Sequence, residues 1–158
     1  MLQTNFSVMD LKVSLTLTRN NKYMKKISTK IYSLEVPEKW EIEYHEDDRV
    51  SLFNPNGKGA ITISSYSFQN NSLDPIRLLE NFVKGKEIIK VKETRSDYKI
   101  AESEYEDSSG ADPMFVYAAT ICYENQLLLI SYFCRKDIFS TNELDIIKKI
   151  ITTFKFNI

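Results

Sequence analysis

The stretch MFVYAATICYENQLLLISYFCR, Met114 to Arg135, decides the fold. Met114 to Tyr123 is apolar or aromatic on both alternating faces, the pattern of a central strand covered on both sides. Leu127 to Arg135 has the same character. Only Glu124, Asn125 and Gln126 separate the two runs, so they read as the arms of one hairpin, with antiparallel pairing. A turn at Asn125-Gln126 would set Cys122 opposite about Leu129 and Cys134 opposite about Tyr117. The thiols would then lie roughly 16 Å apart at strand rise, beyond the ~7 Å Cα separation that a disulfide tolerates. Both cysteines are therefore expected as free, buried thiols.

Further strands and two helices surround this hairpin. Tyr32, Leu34 and Val36 alternate with Ser33 and Glu35 as a strand. Arg49 to Phe53 and Ala60 to Phe68 are two more, joined by Asn54-Pro55-Asn56-Gly57-Lys58-Gly59, a turn composition. Asp74-Pro75 is an N-cap followed by proline at the first helical position. Ile76, Leu79 and Val83 then form a helical stripe to about Lys84, where Gly85 ends it. Ile88 to Lys92 and Tyr98 to Tyr105 are strands. Ser140 to Glu143 fits a capping box, opening a last helix with Leu144, Ile147, Ile151 and Phe154 on one face. The order predicts an α+β fold: an antiparallel sheet of six to seven strands sandwiched by two helices.

Residues 1–29 read as an N-terminal extension, with 30–158 a single α+β domain. In the extension Leu11, Val13, Leu15 and Leu17 alternate with polar residues as a strand. Arg19 to Lys30 carries five basic residues and no acid, the composition of a solvated linker.

With these elements placed, Tyr32-Ser33-Leu34-Glu35-Val36-Pro37-Glu38-Lys39-Trp40 resembles the opening of the PsbP/Mog-like superfamily. A strand ending in Phe53-Asn54-Pro55, a strand at Ile61 to Tyr66, a helix, and a closing hairpin and helix follow in that family's order. The resemblance spans roughly residues 30–157 and is nearest to the short uncharacterised bacterial members. It implies an αβα sandwich around an antiparallel sheet and no particular chemistry, because function does not follow fold.

Composition narrows the chemistry. In 158 residues there is one histidine, His45, and there are two cysteines. A zinc site draws on three or four His, Cys or carboxylate ligands, and a Ser-His-Asp or Cys-His arrangement would have to use His45 as its base. Asn54 to Gly59 leads into a strand, unlike a phosphate-binding loop that opens a helix. The expectation is a non-enzymatic protein with no catalytic residues, metal or cofactor. Lys plus Arg is 21 and Asp plus Glu is 22, so the basic excess typical of a nucleic-acid binder is missing. There is no apolar run of membrane-spanning length and no leader-like start, so the expected compartment is the cytoplasm, without membrane association.

The near-neutral total hides local charge. Glu41, Glu43, Glu46, Asp47 and Asp48 meet only Arg49. Glu102, Glu104, Glu106, Asp107 and Asp112 have no basic neighbour in sequence, while Lys84 to Arg95 is basic. Such patches steer protein association. The expected partner surface is Trp40, Glu43, Glu46, Asp47, Asp48, Glu104, Glu106 and Asp107, docking another protein of basic character, as an immunity-type or adaptor protein would. The alternative is a small-molecule or lipid carrier, with a cleft between sheet and helix lined by Tyr66, Phe82, Tyr117 and Tyr132.

Overall fold

The computed structural model describes residues 14–17, 23–69, 72–83, 90–93 and 98–157. The chain divides into two compact units, residues 1–38 with 146–158, and residues 39–145.

The second unit is built on a seven-stranded antiparallel sheet. Its strands are β4 (Glu41–Tyr44), β5 (Val50–Phe53), β6 (Ala60–Ser67), β7 (Lys90–Glu93), β8 (Lys99–Asp107), β9 (Met114–Tyr123) and β10 (Gln126–Arg135). They lie in the order β4-β5-β6-β10-β9-β8-β7. The expected hairpin stands at the centre. Its turn is one residue earlier than expected, at Glu124-Asn125, because Glu124 takes up the positive φ of 48°. Cys122 therefore faces Leu127 and Cys134 faces Phe115. This seven-residue offset puts the cysteines about 24 Å apart along the ladder. Both are free and buried.

Helix α1 (Pro75–Val83) lies on one face of this sheet, against β8 and β9. Asp74 caps it as expected: its Oδ1 accepts the Ile76 N–H at 3.0 Å. Leu79 and Val83 are packed with Ala101 and Ala118, flanked by Ile76, Phe82 and Tyr105. Thr120 fixes the first turn by donating to the Pro75 carbonyl at 2.7 Å. We call this the α1 face. On the opposite, core face, Leu52, Ile61, Ile63, Tyr117, Ile121, Leu128, Ile130 and Tyr132 are all buried. Glu143, in the first turn of α2 (Thr141–Thr152), bonds Tyr132 there. The α+β class, the antiparallel sheet and its seven strands are as the sequence predicts, with α1 packing on the sheet.

The first unit holds a second antiparallel sheet, in the order β1-β2-β3-β11, with β1 at Ser14–Leu17, β2 at Tyr23–Ser28, β3 at Tyr32–Pro37 and β11 at Lys155–Phe156. The Tyr32 ring lies tilted against Phe154 with centroids 5.7 Å apart, and Phe154 meets Phe156 edge-to-face at 4.8 Å. Thr153 Oγ1 accepts the Glu35 N–H at 2.8 Å. Phe154, expected on the last helix, sits beyond it and leads into β11.

Three elements differ from expectation. The basic run taken for a linker contains β2, whose Ile27 is buried and pairs with Leu34 of β3. The acidic run at Glu41 contains β4, because Glu-Ile-Glu-Tyr alternates and Ile42 pairs with the core residue Leu52. The Tyr32–Val36 strand pairs with β2 and β11 and takes no part in the seven-stranded sheet. Residues 11–13 of the expected first strand, Gly85 and most of the basic Lys84–Arg95 run lie outside the described residues.

The β5–β6 turn sits so close to β10 that Gly59 has no room for a side chain. An added Cβ would overlap the Tyr132 ring and come 2.6 Å from the Phe133 carbonyl oxygen. Gly59→Ala should therefore lower the urea unfolding free energy by about 1–3 kcal/mol, whereas Gly110→Ala, with open space around it, should leave the midpoint almost unchanged.

Candidate functional site

The two acidic segments do not form one surface. β4 is the first strand of the sheet and β8 the sixth, so five strand spacings, about 24 Å, separate them. They also use opposite faces. Glu43 pairs with Ser51, which pairs with Thr62, and that register row runs to Ala118 beneath α1. Glu104 pairs with Tyr117 on the core face, with Glu102 and Glu106 two residues to either side.

Their internal partners differ as well. On the β8 side, Glu102 accepts the Tyr117 hydroxyl at 2.7 Å, Glu106 pairs with Lys136 at 2.8 Å, and Asp107 accepts the Ser109 N–H at 2.9 Å. Glu104 also interacts within the chain. On the β4 side, Asp47 pairs with Arg49 at 2.6 Å. Asp48 has φ 61° and lies in the loop between β4 and β5, where its N–H donates to the His45 carbonyl at 3.2 Å. Asp tolerates this left-handed backbone better than most residues. Glu41, Glu43 and Glu46 are exposed and have no ion-pair partner among the described residues. The available acidic surface is therefore Glu41, Glu43 and Glu46. Trp40, expected as part of it, is 5% exposed and belongs to the interior.

β4 is an edge strand. His45 N–H donates to the Arg49 carbonyl, so the alternation of an antiparallel ladder turns the backbone groups of Ile42 and Tyr44 outward. Tyr44 is itself exposed. His45 folds back and its Nε2 lies 2.8 Å from Ser51 Oγ. Among the described residues no three His, Cys, Asp or Glu side chains form a metal-binding group.

The expected carrier cleft is not assembled from its four aromatics. Tyr66 and Phe82 lie on the α1 face, while Tyr117 and Tyr132 are buried on the core face. The two buried phenols each donate to a carboxylate. Tyr132 reaches Glu143 Oε2 at 2.6 Å, and Glu143, 6% exposed, also accepts the Lys58 N–H at 3.1 Å. This corrects the capping-box expectation: the Glu143 carboxylate turns to the buried phenol and the β5–β6 loop, whose polar groups need a partner. Burial, followed by the bond to Glu143, pushes the Tyr132 phenol well above its ordinary range. Burial and the nearby Glu102 charge do the same for Tyr117. Burial, helped by the Asp74 carboxylate and opposed by Lys99, raises the Cys122 thiol to about 12.

No family model and no curated protein matches the chain. Among solved structures, a crystal structure of a protein from Bacteroides thetaiotaomicron VPI-5482 is similar, with a TM-score of 0.60 and 16% identity. The match covers 80% of this chain and 45% of that one, so this chain spans less than half the length of the protein it matches. At that identity the likeness concerns fold. Among the described residues no helix is long and apolar enough to cross a membrane.

The phenols give a sign for alkaline stability. Above the ordinary tyrosine value of 10.0 the unfolded chain releases protons that folded Tyr117 and Tyr132 retain. The native state then binds more protons, and stability is lost as pH rises. The urea midpoint should fall steeply towards about pH 11, and Tyr132→Phe should flatten that fall. At neutral pH the same variant should be destabilised by ~1–3 kcal/mol through the lost bond to a buried carboxylate. Thiol titration at mild alkaline pH should find Cys122 unreactive until the chain unfolds.

Proposed function

We propose that this chain is a non-enzymatic protein-binding module, of immunity or adaptor type, that receives a basic extended segment along the β4 edge. One observation carries the reading. The exposed edge strand carries Glu41 and Glu43, with Glu46 in the turn beyond it, and these three carboxylates have no ion-pair partner among the described residues. The outward backbone groups of Ile42 and Tyr44 suit strand addition. Alternate Lys or Arg side chains of an added strand would meet the carboxylates on the α1 face. Charged edges also discourage self-association, and a basic partner turns that guard into selectivity. The PsbP/Mog-like assignment is part of this proposal and rests on the Tyr32–Trp40 run and on the strand and helix order.

A photocrosslinking residue in place of Tyr44 would capture the partner in cells, and the purified partner would then be titrated. Glu41→Lys with Glu43→Lys should weaken binding at least tenfold, with a marked loss on raising salt. Glu104→Lys should have little effect. Equal losses from both variants, or crosslinking no stronger than from a probe at Gly110, would overturn the reading.

A further inference from the structure

The two edges of the seven-stranded sheet are opposite in charge. β4 at one edge reads Glu41-Ile42-Glu43-Tyr44, and β7 at the other reads Lys90-Val91-Lys92-Glu93. Over three positions each strand alternates charged and β-branched residues, Glu-Ile-Glu against Lys-Val-Lys. The registers assign the charges to opposite faces. Glu41 and Glu43 fall in the rows of Phe53 and Ser51, on the α1 face. Lys90 and Lys92 fall in the rows of Glu102 and Ile100, on the core face, while Val91 shares the row of Ala101 beneath α1. Every pairing from β4 across to β7 is antiparallel, so in this seven-stranded order the two edge strands run in the same direction.

We infer that the β4 edge receives β7 of a second copy of this chain, which extends the sheet from one molecule to the next. The inference rests on the reading of β4 as a strand-accepting edge and names its occupant, since Lys90-Val91-Lys92 is itself a basic extended segment. For β7 of the second copy to run antiparallel to β4, that copy must turn over about an axis lying across the strands. The turn brings its core-face rows to the side of the first copy's α1 face. Glu41 then stands opposite Lys92, Ile42 opposite Val91 and Glu43 opposite Lys90. Unlike charges directly across an antiparallel pair stabilise it. Parallel pairing, with no turn, would put Glu41 and Glu43 on the side of Val91 and Glu93, so the charges select the antiparallel arrangement.

The same rule excludes the symmetric contacts. β4 on β4 would set Glu against Glu, and β7 on β7 would set Lys against Lys. The outward backbone groups of Ile42 and Tyr44 supply the ladder that an edge strand offers. The contact is head-to-tail, and the turn axis is also the direction of growth, so each addition repeats without closing. Four-residue strands make a small contact, and the association is correspondingly weak and driven by concentration.

Sedimentation velocity of the full chain between micromolar and millimolar concentration tests this, with amide exchange followed by NMR. The sedimentation coefficient should rise with concentration and fall back on raising salt. Exchange at the Ile42 and Tyr44 amides should slow in step with it. Glu41→Lys with Glu43→Lys, at two exposed positions, should hold the chain monomeric over the same range. Lys90→Glu with Lys92→Glu should do the same, and an equimolar mixture of the two variants should associate again, because unlike charges then face each other once more. The first variant and the exchange data decide the matter even if the second fails to fold. Association that Glu41→Lys with Glu43→Lys leaves intact, or a mixture of folded variants that stays monomeric, would overturn the inference. So would a wild-type chain that is monomeric throughout. If that monomer still bound a foreign basic partner through β4, the edge reading would stand without this occupant.

Discussion

The Glu143 side chain is buried, and the second unit is arranged to satisfy its oxygens. A carboxylate out of water is stable only when its oxygens are bonded. Tyr132 supplies one donor from β10, and the Lys58 N–H supplies another from the β5–β6 turn. One side chain thus ties the first turn of α2 to the sheet centre and to a surface loop. The loop can come this close only because Gly57 and Gly59 lack side chains: a Cβ on Gly57 would overlap Glu143 itself. Two residues that composition alone would assign to turn flexibility are there for close approach.

The core face is buried, and the α1 face has unequal halves. Over β8 and β9 the helix buries Ala101 and Ala118. Towards β4 the same face turns to serine, threonine, exposed rings and unpaired carboxylates. Tyr66 and Phe133 stand largely in water on this face, six ladder positions apart. The acidic β8 segment differs: its carboxylates interact within the chain.

Much of the fold was legible because punctuation and periodicity agree. Asp74-Pro75 caps α1, the run from Met114 forms the central strands, and the apolar alternation from Ala60 forms β6. Local charge misled where it hid alternation, as in β4 and β2. The partner surface was half legible. Charge density marked Glu43 and Glu46, but only pairing distinguishes them from Glu104, Glu106 and Asp107. Asp48 serves a left-handed turn and Trp40 the interior. The Ser51–Thr62–Ser131 row could not be read from sequence, since it exists only through the registers of three strands.

The central claim is that Tyr66 and Phe133 stand in solvent on one face of the sheet while Tyr117 and Tyr132 are closed off on the other. Hydroxyl-radical footprinting of the intact chain tests it directly, because oxidation follows side-chain access. The account predicts fast modification of Tyr44, Tyr66 and Phe133, and strong protection of Tyr117 and Tyr132 on the other face of the same sheet. Protection of Tyr66 and Phe133 to the level of Tyr117 would mean that the chain itself covers this face, and would contradict the account.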